Sequence, residues 1–126
     1  ICEGLLRYGF RTDAARLCVH NMNAVIQNLK QNRAFYARYH SEKGTGIGER
    51  NSLHGLAPVG LFLETLGVRI FSQRKVHLEG INVFPWPVTI KYKGLTIVRA
   101  HDRTVLTFSN GENVTVTDSA PCIVEI

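Results

Sequence analysis

The fold turns on residues 59–72, VGLFLETLGVRIFS. Val59, Leu63 and Leu66 recur at helical spacing. Gly67 then supplies the residue type that most readily takes the left-handed conformation closing a helix. From Val68 onward apolar and polar residues alternate, which is the period of a half-buried strand. One glycine thus divides the chain into a helical half, 1–67, and a strand half, 68–126. The expected class is α+β: N-terminal α-helical hairpins followed by a small antiparallel β-sandwich.

Downstream of Gly67 the pattern predicts seven strands: Val68–Phe71, Lys75–Glu79, Pro87–Tyr92, Leu95–Ala100, Thr104–Ser109, Asn113–Thr117 and Cys122–Glu125. Lys93-Gly94 and Asn110-Gly111 are hairpin turn signals.

Upstream, a final helix is expected over 53–66, capped by Ser52. Leu56, Val59, Leu63 and Leu66 lie on one side of it, and Pro58 in its first turn. Before it, HSEKGTGIGERNS (40–52) reads as a polar loop with glycines at 44, 46 and 48. Phe35, Tyr36 and Tyr39 form an aromatic cluster at helix-end spacing. A long amphipathic helix is expected over 13–31, with Thr12 as its cap and Asp13 in its first turn. Its stripe is Ala14, Leu17, Cys18, Met22, Val25, Ile26 and Leu29. Residues 4–10 read as the end of a preceding helix. Val19 and Met22 need partners on the other flank, so the helical half reads as part of a larger helical array.

The chain has 126 residues, 44% apolar and 20% charged, the composition of a soluble globular protein. It begins with Ile1 rather than Met, so a processed chain or a piece of a longer one is expected. No transmembrane or signal segment is read in it, and its compartment stays open. Lys and Arg number 15 against 10 Asp and Glu, a net charge of +5. Residues 1–66 hold eight basic and five acidic residues, and 67–126 hold seven and five. No basic block forms, so neither nucleic acid nor a membrane is an expected partner. Cys2, Cys18 and Cys122 are odd in number with no CxxC pair, and the five histidines are scattered singly. Buried thiols are therefore expected, with no disulfide framework, no metal site and no cofactor. GTGIG (44–48) lacks the spacing of a dinucleotide fingerprint and the ending of a P-loop.

The run FYARYHSEKGTGIGERNSLHGLAPVGLFLETLGVRI (35–70) resembles the last helical hairpin of the six-hairpin glycoside hydrolases. The matching features are Phe35, Tyr36 and Tyr39, then Gly44, Gly46 and Gly48, then Asn51 to Leu66. GLLRYGF (4–10) with the long helix after it looks like that family's penultimate hairpin. The resemblance implies an (α/α)6 toroid, of which residues 1–67 would be the end, with a β-sandwich over 68–126. It implies a carbohydrate partner, the remaining barrel as a second partner, and inverting hydrolysis of glycosidic bonds in the full-length protein. Inversion needs two carboxyls about 6.5–9.5 Å apart, one protonating the leaving oxygen and one activating water. The family's acid lies in an earlier hairpin that this chain lacks, so no activity is expected from these residues alone. The family's base falls within an F-x-E-x-Y pattern, and that position here is Ala37.

Candidate catalytic carboxylates are therefore Glu42 and Glu49 on the glycine-rich stretch, with Arg50 placed to hold Glu49 ionised. Candidate sugar-binding residues are Tyr36, Tyr39 and Trp86 as stacking platforms, with Arg50, Asn51 and His54 as polar ligands. The alternative reading is a non-catalytic carbohydrate-binding or protein-interaction module. An apolar and exposed second face on helix 13–31 would imply a partner or a missing barrel.

Overall fold

The computed structural model describes residues 1–55 and 59–126. Its elements are helices α1 (Cys2–Arg7) and α2 (Arg11–Asn32), strands β1 (Tyr36–Tyr39) and β2 (Gly46–Arg50), and a 3-10 turn at Leu53–Gly55. Helix α3 (Val59–Leu66) follows. Then come β3 (Val68–Ser72), β4 (Lys75–Leu78), β5 (Val88–Tyr92), β6 (Leu95–Arg99), β7 (Thr104–Thr107), β8 (Asn113–Val116) and β9 (Cys122–Glu125). The chain divides into two compact units, Ile1–Phe62 and Leu63–Ile126.

The (α/α)6 toroid is corrected. The described residues form a small α+β protein with three α-helices and sheets of two, three and four strands, and no toroid of helical hairpins. The reason lies where α2 ends. Arg33 takes a left-handed conformation at φ 51° and closes the helix, donating its N–H to the Leu29 carbonyl. Instead of a returning helix, Tyr36–Tyr39 extends and pairs antiparallel with Gly46–Arg50. Aromatic side chains favour extended backbone when a pairing strand is present. The helix end expected at Phe35–Tyr39 and the loop expected over 40–52 are thus the two arms of one β-hairpin.

Within that hairpin the register slips between Tyr36 and Arg38, and Gly48, at φ 86°, takes up the extra residue opposite Ala37. Gly46 is required for a different reason: a Cβ there would lie inside the Tyr36 ring.

Helix α2 begins at Arg11 with Phe10 as its cap residue, so Thr12 is not the cap. Gly9, at φ 83°, follows α1 and lets the chain re-enter a helix two residues earlier than Thr12 as the cap suggested. Asp13 does sit in the first turn. Ala14, Ala15, Cys18, Ala24, Val25 and Asn28 are buried, whereas Leu17, Ile26 and Leu29 of the expected stripe are exposed. Of the helix expected over 53–66, Val59–Leu66 is described as helical, and Leu53–Gly55 form a 3-10 turn. Leu56 and Pro58, placed by the sequence in that helix, lie outside the described residues. Gly67 closes α3 at φ 75°.

In the second unit the seven strands fall within one or two residues of the expected spans and form two antiparallel sheets, β3-β4-β9 and β5-β6-β7-β8. The register aligns Ile90, Ile97, Leu106 and Val114 across four strands. Ile97 and Leu106 are fully buried in that row. Lys93 and Gly94, both at positive φ, make the two-residue turn from β5 to β6. Gly111, at φ 87°, donates to the Phe108 carbonyl and turns β7 into β8.

Arg99 continues the inward-facing row after Leu95 and Ile97 and is only 3% exposed. Its guanidinium donates to Thr104 Oγ1 at 3.0 Å and to the Glu79 and Gly80 carbonyls at 2.7 Å each. Asn82 donates to the Trp86 and Arg99 carbonyls and accepts from the Phe84 N–H. These two side chains give hydrogen bonds to the irregular stretch between β4 and β5, whose backbone groups have no ladder partners.

Candidate functional site

The first unit contains a pocket of about 610 Å³, within the size range of small-ligand sites. α2 supplies one wall, through Leu17, Cys18, Asn21 and Met22; Cys2 and Glu3 of α1 close one end, and Val59, Leu61 and Phe62 of α3 line another side. Tyr39, His40 and Ser41, at the end of β1, complete the lining. Most of this surface is apolar.

The polar groups at the rim are held by backbone hydrogen bonds. His20 Nε2 donates to the Ser41 carbonyl at 2.6 Å, joining α2 to the hairpin. His40 Nδ1 accepts the N–H groups of Glu42 and Lys43 at 3.2 and 3.3 Å, so its ring caps the turn between β1 and β2. Tyr39 accepts the Tyr36 N–H at 2.9 Å and donates to the Gly55 carbonyl at 3.3 Å. Gly55 packs so close to Tyr36 that a Cβ there would strike its carbonyl oxygen.

Asn28, 3% exposed, fixes the hairpin to α2 from below. Its amide donates to the carbonyls of Ala24 at 2.8 Å and Gly44 at 2.7 Å, and its oxygen accepts the Gly46 N–H at 3.0 Å. A buried amide can satisfy several backbone groups only where loop and helix are already in register, and Gly44, at φ 65°, permits that approach.

Of the residues singled out from the sequence, only Tyr39 lines the pocket. Glu42 is exposed in the hairpin turn, and Glu49 is exposed in β2 near the bulge. Neither carboxylate lines the pocket. Arg50 donates to the Asn32 carbonyl at 3.0 Å, fastening β2 to the end of α2. Asn51 takes a left-handed φ of 57° and donates its N–H to the Phe35 carbonyl at 2.7 Å. The Tyr36 ring covers Gly46. His54 is exposed, with Nδ1 3.3 Å from Ser52 Oγ. Trp86 belongs to the second unit, where its ring stacks on Phe84 with centroids 6.2 Å apart. The hairpin thus brings Tyr36, Tyr39, Arg50 and Asn51 into one unit, but as its fasteners.

Sequence reasoning missed Cys2, Cys18, His20 and Met22 as pocket residues. Cys2 and Cys18 carry no motif spacing, and His20 meets Ser41 from 21 residues away. The apolar character of Leu17 and Met22 is a signal in the sequence, and it places both on the helix stripe, with Met22 also in need of a partner on the other flank. Among the described residues no three His, Cys, Asp or Glu side chains gather as a metal site. None of the described helices is long and apolar enough to cross a membrane. The first unit holds eight Lys or Arg against four Asp or Glu, and the second seven against six, so most of the positive charge belongs to the pocket-bearing unit. No family model, no curated protein and no solved structure matches this chain.

Proposed function

We propose that this chain is a non-catalytic protein-interaction module whose pocket in the first unit takes apolar side chains of an acidic partner segment. The observation that carries this is the largely apolar pocket along α2, in a unit with a surplus of four positive charges. A sugar needs a wall dense in hydrogen-bonding groups, and here the rim histidines and Tyr39 are engaged with backbone. An apolar side chain needs only the surface that Leu17, Met22 and Phe62 present. The net charge favours an acidic segment by steering its approach.

The exposed Ile26 and Leu29 on α2 support a partner in the same unit. A helical segment with apolar residues at i, i+3 and i+7 is the simplest occupant of such a surface. The resemblance to glycoside hydrolases supports a second reading, a part of a carbohydrate-active enzyme. That reading rests on the sequence of residues 35–70, and it too assigns no turnover to these residues alone.

The test uses a synthetic amphipathic peptide with Leu and Phe on one face and Glu on the other, followed by fluorescence anisotropy. Binding is expected to weaken at least tenfold in Leu17→Glu and to fall with added salt. Equal binding by Leu17→Glu, or no binding by the unaltered chain, overturns the reading. Hydrolysis of aryl glycosides by the 126 residues overturns its non-catalytic half.

A further inference from the structure

Two of the three thiols meet on the wall of the pocket. Cys2, the first residue of α1, and Cys18, in the middle of α2, have their Sγ atoms 3.6 Å apart. They are 8% and 7% exposed, and both border the pocket, so a small molecule reaches them from there. The third thiol, Cys122, lies in β9 of the other unit.

We propose that Cys2 and Cys18 form an oxidisable dithiol, converted to an intramolecular disulfide by low-molecular-weight disulfides that enter the pocket. A disulfide needs its sulfurs about 2.05 Å apart, so the pair must close by about 1.5 Å. The element that has to move is α1, carrying Cys2. That helix has only six residues, and Gly9 follows it at a left-handed φ. The Cys2 Sγ–H already points at the Ala14 carbonyl of α2, 3.6 Å away, which keeps it on the Cys18 side.

The step balances without any group beyond the oxidant. Cys2 gives its proton to solvent and, as thiolate, attacks one sulfur of RSSR; the S–S bond breaks and RS⁻ leaves, taking a proton from solvent. Cys18 gives its proton to solvent and attacks the Cys2 sulfur of the mixed disulfide, expelling the second RS⁻, which is protonated in turn. Two protein thiols lose two electrons, and RSSR becomes two RSH. The product ties α1 to α2 across sixteen positions and removes both thiols from the pocket wall. The proposal stands apart from the partner reading, since it concerns the wall and not its occupant.

The test equilibrates the whole chain with oxidised and reduced glutathione, quenches with acid, alkylates the remaining thiols and maps peptides by mass. A Cys2–Cys18 link is expected, with Cys122 alkylated. Its equilibrium with glutathione should favour oxidation at least tenfold more than in the same chain unfolded in urea. The Cys122→Ser variant should give the same link. The proposal is overturned by a glutathione adduct that persists on one cysteine. It is equally overturned by links to Cys122 forming as readily, or by no gain over the unfolded chain.

Discussion

The two units bury different things. In Leu63–Ile126 the core is made of large side chains: Phe84, Phe108, Leu66, Leu78, Leu95, Ile97 and Leu106 are all fully buried. In Ile1–Phe62 the buried side chains are small, namely Cys2, Ala14, Ala15, Cys18, Ala24, Val25 and Ala34, with the polar Asn28 and Ser52 among them. None of the largest fully buried side chains belongs to that unit. Its large apolar residues, Tyr8, Phe10, Leu17, Ile26 and Leu29, stay exposed. Small side chains let α1 and the hairpin approach α2 closely. They also bury little apolar area, at roughly 25 cal/mol per Å². The first unit therefore relies on directed hydrogen bonds around a core of small side chains, while the second packs large side chains into its core, although Phe71, Ile81, Trp86, Tyr92, Val98 and Ile123 stay exposed there too.

The comparison breaks most sharply at Phe84. Truncation of this ring in Phe84→Ala is expected to cost about 3–5 kcal/mol, read from urea unfolding followed by circular dichroism. If Ile26→Ala, on the exposed flank of α2, costs as much, the contrast between the units fails; its expected cost is within about 0.5 kcal/mol.

The first unit should be most sensitive at Asn28. Asn28→Ala strands the Gly44 carbonyl and the Gly46 N–H, at an expected cost of about 2–3 kcal/mol. Hydrogen exchange at the Gly46 amide should accelerate in step. An unchanged exchange rate there would show that the hairpin does not depend on this side chain.

Arg99 is the second unit's own directed anchor. Arg99→Lys keeps the charge but loses the planar fork that serves Thr104 and the Glu79 and Gly80 carbonyls, with an expected loss of about 1–2 kcal/mol in the same unfolding experiment. The smallest effect is expected at the surface pair Lys75–Glu125, 2.8 Å apart. Glu125→Gln should change stability by less than about 0.5 kcal/mol, because both groups face water. A larger loss would mean that the edge pairing of β4 and β9 is held by charge rather than by its ladder.

How far the sequence was legible follows the same division. Strands β3 to β9 could be read because each carries its own alternation, and because Lys93-Gly94, Asn110-Gly111 and Gly67 mark the turns chemically. Helix α2 was legible from its period, and its cap was misplaced because Gly9 restarted the helix before Thr12. The β1–β2 hairpin was not legible. Tyr36–Tyr39 has spacing that suits a helix end, and GIGER has no alternation of its own; each extends because the other pairs with it. The stretch carrying Glu42 and Glu49, expected as a loop, is the turn and second arm of that hairpin.

The sequence by itself determined where the second unit's strands and turns fall and that α2 is a long helix, because local periodicity and left-handed glycines act over a few residues. Only the tertiary structure decided the hairpin, the Asn28 anchor, the pocket and the meeting of Cys2 with Cys18. The Asn28 and cysteine contacts join residues sixteen positions apart, and the hairpin depends on Gly46 giving room to the Tyr36 ring, so no local pattern encodes them.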